Sequence, residues 1–504
     1  MAESQRKIEV DIAQFPIANY NIEQVHFIGE INDICGSKKE MTCLHIEELD
    51  ARVFGDIPFK ARARITDFLD PELEMTIESK MPIEDFSRLL RDDNFEPRGG
   101  KVALSMEYKH PISESIDIRE QIKHADLKGQ VLLHQVNLHY PYRGFDLYAL
   151  DGQIEFDNQT IEIDELYMDL NKNPMILDGT CYDCIPFILD EAVPFNLELD
   201  MSCSKFDFAK FYTPAKIEER ITTRSSNESN QTIDRILAEG TMIINTNIDS
   251  LVYYTFLAEQ VSGFAYLEDQ VIQMDHVEMK LGEGDLKING SIENIDIDQP
   301  KVGVEVYIQN LRTDTLLHAF DNFNQDKVTY KNVKGLMNAD ISFSSVFDKD
   351  YKVITDSLFG DLQIELQDGE LKDFGPLKNL KGFLFKKRKL DDVYFDKLNT
   401  KLSIRGQDLH ISRFDLNATA ITLGIEGVYT FSDEDRTAIL MEIPISNLFK
   451  RHIDRKELLE QKKSRGGKTI LVDLYEEDKK LKFRLHKVDK KEKRRKRKLF
   501  RRKK

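Results

Sequence analysis

The sequence predicts a mainly β, repeat-built protein with short helices, and three observations carry that prediction. One apolar template occurs four times: Leu44, Ile46, Leu49, Ala51 and Val53; Ile161, Ile163, Leu166, Met168 and Leu170; Ile272, Met274, Val277, Met279 and Leu281; Leu409, Ile411, Phe414, Leu416 and Ala418. Alternation with period two puts each set on one strand face, and the three-residue step in the middle needs a bulge or tight bend to keep that face. The flanks recur as well. A turn signal precedes each copy at Gly36-Ser37, Asp157-Asn158, Glu268-Asp269 and Gly406-Gln407, and a small residue follows at Ala63, Gly179, Gly290 and Gly427. Finally, the 504-residue chain is 41% hydrophobic and 32% charged with no Trp, a globular composition in which the charge is spread through the strands.

In chain order, Ile8 to Ile31 reads as strands ahead of the first copy. After each copy comes one more strand, at Leu73–Ile77, Phe195–Leu199, Val302–Ile308 and Ile439–Ile443, and then a helical piece, at Ile83–Leu90, Phe206–Tyr212, Thr313–Phe323 and Ser446–Leu459. Lys101 to Tyr108, Leu127 to Tyr140 and Gly240 to Ile248 alternate as strands, and Asn227 to Thr232 is a polar loop. The repeats start 111 to 137 residues apart, longer than common solenoid units. This gives a first repeat at 1–91, a second at 92–237, a third at 238–323, a C-terminal repeat at 324–463, and an extension at 464–504.

Composition and motifs exclude more than they identify. No apolar run is long enough to span a membrane, and the start, MAESQRKIEVDIAQF, lacks a signal-peptide core. Cys181 and Cys184 have CxxC spacing, but Cys181 continues a strand, where residues three apart face opposite sides, so structural cysteine is the expectation. His124, His134 and His139 fall at irregular spacing and read as surface residues. Gly466-Gly467-Lys468-Thr469 lacks the first glycine of a phosphate loop, and no metalloprotease, nucleophile-elbow or dinucleotide motif occurs. The 89 carboxylates sit mostly at polar strand positions. The expectation is therefore no enzyme, no cofactor and no metal.

The end of the chain differs in charge. Residues 490–504, KKEKRRKRKLFRRKK, carry a net +11 against −18 for the whole chain, which leaves −29 on residues 1–489. An acidic body repels nucleic acid, so none is expected as a partner. The basic tail, through Lys493, Arg494, Arg495, Lys496, Arg497, Lys498, Arg501 and Arg502, suits an anionic membrane surface.

The segment FGDLQIELQDGELKDFGPLKNLKGFLF, followed by FDKLNTKLSIRGQDLHISRFDLNATAITLGIEGVYTFSDED, resembles the C-terminal region of the AsmA/TamB family of bacterial envelope proteins in its Bacteroidetes form. The marks are the strand pair at Gly360 to Leu371, Pro376-Leu377, the alternation at Leu409 to Leu416 and the strand around Gly427. The resemblance implies an elongated, curved, taco-like β-groove, a place on the periplasmic face of the inner membrane, and a non-enzymatic carrier or conduit for phospholipid or another acyl lipid in outer-membrane biogenesis. Envelope proteins are the further partners it implies. This chain departs from the pattern in lacking the family's N-terminal anchor.

Physical reasoning points the same way. A sheet with one apolar face must cover it with helices, another sheet or a ligand, and the helices here are few. Moving an acyl chain of ~16 carbons into water costs roughly 12 kcal/mol at ~0.8 kcal/mol per CH₂, a barrier that an apolar floor removes. The floor is then expected at Ile161, Ile163, Leu166, Met168, Leu170, Ile272, Met274, Val277, Met279, Leu281, Leu409, Ile411, Phe414 and Leu416. The alternative is a β-repeat scaffold whose side chains fill the same space.

Overall fold

The computed structural model describes residues 5–486 apart from 18–19, 33–41, 54–55, 91–94, 112–123, 142–143, 190–192, 211–239, 294–298, 325–327, 349–351, 386–387, 432–435, 449–452, 454, 461–467 and 478–479. Contacts divide the chain into two compact units, Met1–Val252 with Ser262–Ile272, and Tyr253–Val261 with Gln273–Lys504. Both are mainly antiparallel β with short helices, the fold class expected.

In the first unit β1 (Gln5–Ile17), β2 (Tyr20–Asn32), β3 (Cys43–Val53), β4 (Ile57–Thr66) and β5 (Glu72–Pro82) form a meander. Helix α1 (Ile83–Leu90) and the short β6 (Glu96–Pro97) lead to β7 (Lys101–Pro111), which pairs back on β5. The meander resumes through β8 (Asp126–Tyr140), β9 (Phe145–Asp157), β10 (Thr160–Leu170) and β11 (Asn173–Tyr182). Helix α2 (Cys184–Leu189) then precedes β12 (Asn196–Asp207). β13 (Thr241–Tyr253) runs parallel to β12, with Leu199 opposite Ile244.

β14 (Phe256–Glu268) and β15 (Val271–Leu281) contribute residues to both units. In the second unit β16 (Gly284–Glu293), β17 (Lys301–Arg312), helix α3 (Thr313–Ala319), β18 (Val333–Val346) and β19 (Phe359–Lys372) follow. Helix α4 (Gly375–Leu384) separates β19 from β20 (Asp392–Arg405). Then come β21 (Asp408–Asn417), β22 (Thr422–Thr430), β23 (Ala438–Pro444), helix α5 (Arg455–Glu460), β24 (Thr469–Glu477) and β25 (Lys480–Leu485). From β16 to β25 each strand pairs antiparallel with the next.

The four template copies are β3, β10, β15 and β21, and the register of β3, β10 and β21 against the next strand slips at the three-residue step. Their turns follow local chemistry. Asp157 Oδ1 accepts the backbone N–H groups of Gln159 at 2.8 Å and Thr160 at 2.7 Å, which closes the β9–β10 turn. These two donors hold the Asp157 carboxyl below the usual carboxylate range. Asp269 and Gln270 both take positive φ in the two-residue turn before β15, and Gly406 does so before β21. Gly36-Ser37 and the Asn227 to Thr232 loop lie outside the described residues.

Small residues do sit where backbones approach. A Cβ on Gly179 would run into the Glu198 carbonyl oxygen, and one on Gly427 into that of Ala438. Helix α1 spans the expected residues, with Phe86 and Leu89 packed against buried Val53, Ile57 and Met81. Over the described part of the helix expected at Phe206–Tyr212 stand instead the end of β12 and a 3-10 turn at Phe208–Lys210, because pairing with β13 continues to Asp207 opposite Val252; residues 211–212 lie outside the described residues. The one expected at Thr313–Phe323 stops at Ala319 and gives way to a 3-10 turn, leaving Phe320 exposed. At Ser446–Leu459 a 3-10 turn, Ile445–Leu448, precedes α5.

Candidate functional site

In the second, third and fourth template copies the bulge divides the apolar face in two, whereas in the first Ile46, ahead of it, is already buried. Leu166 and Met168 are buried, at 6% and 7% exposure, as are Met279 and Leu281, and Leu416 at 4%. Ahead of the bulge Ile161, Ile163, Ile272, Met274, Leu409 and Ile411 are only half-buried. Val277, Phe414 and Leu170 are half-buried too. The fourteen expected floor residues therefore form two environments rather than one.

The half-buried residues line up across strands. In the first unit the register places Leu104, Val131, Ile154, Ile163, Gly179, Leu199 and Ile244 in one row across β7 to β13, every one half-buried. Beside it run Met106, Gly129, Phe156, Ile161, Cys181, Leu197 and Met242. Directly opposed residues share a face, so these rows form an apolar surface two side chains wide that water still reaches.

In the second unit Ile288, Val306, Ile341, Leu362, Leu402 and Ile411 make the equivalent half-buried row. It continues through Gly427 to Ile439 and Leu474, where exposure falls to 9% and 7%. There the face closes. Helix α4 lays Leu377 and Leu380 on a cluster with Phe385, Leu390, Val393, Phe395, Leu416, Ile421, Leu423 and Ile443, filling the space over β20 to β24.

Behind the apolar rows the sheet is polar and charge-paired. Glu74 accepts from Lys109 Nζ at 2.8 Å, Lys128 lies 2.9 Å from Glu107, and Lys287 lies within ion-pair reach of Glu278 at 2.5 Å. A concavity lined by Arg62, Arg64, Glu74, Glu107, Lys109 and Lys128 lies on this face. Of its cations, Arg64, Lys109 and Lys128 pair with carboxylates across strands. His134 and His139 bond Asp151 at 2.9 Å and Asp146 at 2.7 Å on the neighbouring strand, and among the described residues no cluster is suited to a metal ion.

Two features went unread in the sequence. The first is how bulges are held. Gln135, Ala149, Glu165, His276 and Asn310 all take positive φ near +50°, and each donates its backbone N–H to an Asp or Asn side chain on the adjacent strand. The acceptors are Asp151 (3.0 Å), Asn137 (3.0 Å), Asp178 (2.8 Å), Asn289 (3.0 Å) and Asn338 (2.9 Å). Left-handed backbone at a residue with a Cβ costs roughly 1–2 kcal/mol, which the extra hydrogen bond offsets. The signal was present, since Asp178-Gly179 and Asn289-Gly290 put the acceptor just before the small residue. Copies one and four have Arg62 and Glu426 there, and neither Glu47, Glu48, Ser412 nor Arg413 takes positive φ.

The second is the cysteine pair. Cys181 and Cys184 are joined in a disulfide, with Cα atoms 5.8 Å apart. The expectation that they face apart fails because β11 stops at Tyr182; Asp183 turns the chain at φ +59°, and Cys184 starts α2. The tail residues Lys493, Arg494, Arg495, Lys496, Arg497, Lys498, Arg501 and Arg502 lie outside the described residues.

No family model, curated protein or solved structure matches the chain. Among the described residues no helix is long and apolar enough to cross a membrane.

Proposed function

We propose that the chain is an AsmA-like, non-enzymatic carrier or conduit for phospholipid or another acyl lipid, working in the cell envelope at the periplasmic face of the inner membrane, with the half-buried rows as the surface that holds acyl chains. The observation that carries this reading is continuity: Leu104, Val131, Ile154, Ile163, Leu199 and Ile244 run across seven strands without a polar break. A methylene chain laid along them leaves water at a gain of ~0.8 kcal/mol per CH₂. The resemblance at Gly360 to Leu416 supports the same class. Anionic headgroups and the basic tail make a second, electrostatic contact, worth ~1 kcal/mol per cation at the surface.

A structural scaffold is the second reading. What favours it is the large cluster of buried side chains over β20 to β24.

The two readings separate on Ile163→Asp. On a half-buried row the carboxylate reaches water, so the protein is expected to fold with a loss of about 1–2 kcal/mol, while lipid retained through purification, measured by mass spectrometry of extracts, drops to background. A natural chain that retains no lipid, or a folded variant that keeps its lipid, overturns the carrier reading.

A further inference from the structure

We propose that Cys181 and Cys184 form a dithiol–disulfide switch that sets whether helix α2 covers the apolar rows of β10 to β13. The regulatory consequence rests on the acyl-carrier reading; the chemistry of the switch does not.

The pair joins two parts with different tasks. Cys181 stands in the apolar row between Ile161 and Leu197 and is 4% exposed. Cys184 is the first residue of α2, which packs back on β10. From α2, Phe187 reaches onto the rows: it is 4% exposed, its ring lies 4.7 Å from that of Phe195, and Ile161, Leu197 and Met242 pack around the cluster it forms with Cys181. Where α2 sits, the half-open surface is therefore lidded.

Among the described side chains of α2, the disulfide and the Phe187 ring are what join it to the buried cluster on the rows. Six residues are too few for a helix to persist on its own. Local backbone bonds, Asp183 N–H to Gln159 O at 2.6 Å and Phe187 N–H to Asp183 O at 2.8 Å, set the turn into α2. A bond that closes so short a loop constrains the unfolded chain least, so breaking it acts on the lid and not on the sheet. The other described cysteines have no such setting. Cys43 and Cys203 are buried and outside any disulfide, and the Cys203 thiol donates to Pro174 O at 3.2 Å while burial pushes it up in pKa and away from thiolate chemistry.

The step requires a dithiol reductant. One of its thiolates attacks Sγ of Cys184, the less buried residue of the two; the sulfur–sulfur bond breaks, and its electron pair leaves on Sγ of Cys181, which takes up a proton. The second thiol of the reductant then attacks the mixed disulfide and frees Cys184 as a thiol. Two electrons and two protons pass to the protein, and the reductant departs as its own disulfide. Reoxidation by a disulfide reverses the exchange.

The test uses the full chain and dithiothreitol, with amide hydrogen exchange and the apolar dye 8-anilinonaphthalene-1-sulfonate as readouts, neither of which needs bound lipid. Reduction is expected to speed exchange at Cys184–Phe187 by about tenfold or more, to leave β7 to β10 protected, and to raise dye fluorescence. Phe187→Ala, with the disulfide intact, should raise dye fluorescence without reductant. Free thiols at both positions after incubation with oxidised glutathione overturn the proposal, as does reduction that changes neither readout. Exchange that accelerates through the whole first unit also overturns it, because the bond is then a staple of the fold. If lid opening is seen but lipid never binds, the switch stands and the carrier reading falls.

Discussion

Ile163 and Met168 lie on the same face of one strand, yet one is half-open to water and the other is 7% exposed. The same division separates Met274 from Met279 and Ile411 from Leu416. Hydropathy cannot explain it, since both halves are equally apolar. The difference lies in the neighbours on the far side of the bulge: there Leu166 and Met168 stand opposite Leu177 and Met175, beside buried Val136, Tyr140 and Leu150. Short helices add to this end, as Leu317 of α3 and Leu377 and Leu380 of α4 show. Ahead of the bulge, among the described residues, the rows stay half-open except where α2 lies in the first unit and where the α4 cluster closes over Ile439 and Leu474 in the second. One template therefore builds a packed core and an open surface, and the bulge is the boundary.

The strongest way to break that distinction is to place a charge on each side of it. Met279→Asp forces an unpaired carboxylate among residues that exclude water, and the expected loss is several kcal/mol, enough to unfold its repeat in a thermal or urea melt. Ile163→Asp is expected to lose far less, because its carboxylate stays hydrated. If Met279→Asp melts within about 1 kcal/mol of the natural protein, the post-bulge end is not a packed core and the division is wrong.

A smaller effect is expected at the boundary itself. Asp178→Ala leaves the Glu165 N–H without its 2.8 Å acceptor while keeping the left-handed backbone, so a loss of about 1–2 kcal/mol is expected. Asn289→Ala at His276 should match it. Glu426→Ala, at the equivalent position of the fourth copy, has no such bond to lose and should fall within about 0.5 kcal/mol. Equal losses at all three positions, measured by chemical denaturation, would show that the side-chain acceptor is not what holds the bulge.

Much of this division was written in the residues and part of it was not. The strand faces, the step at Asp164-Glu165 and the small partner at Gly179 follow from period and spacing, because a one-residue error in either turns every side chain to the wrong side. α1 was legible because Ile83, Phe86 and Leu89 keep helical spacing right after a strand. α2 was not: Cys-Ile-Pro-Phe is too short for periodicity, and only the turn at Asp183 separates it from β11. The burial of Met168 against Met175 was also out of reach, since it depends on neighbours brought in from other strands. A floor read from one strand alone necessarily merged the two halves.

The smallest effect expected lies one residue from the largest. Glu278 precedes Met279 on β15 and points to the opposite face, where it accepts a hydrogen bond from Lys287 Nζ at 2.5 Å. That bond holds the Glu278 carboxyl below its ordinary range and raises Lys287 above its own. A depressed carboxylate contributes stability above its unfolded pKa of about 4.3 and loses it as pH falls through the folded value; a raised lysine contributes below about 10.4 and loses it as pH climbs. The pair is thus fully formed across neutral pH. Both groups stand in water, where such pairs contribute little and salt screens them. Glu278→Gln is therefore expected to shift the melting temperature by less than replicate scatter at pH 7, and to converge with the natural protein below pH ~4. A drop at pH 7 that approaches the Met279→Asp effect would mean that the two faces of β15 are not chemically separate, and the assignment of one face to apolar contact and the other to solvent would fail.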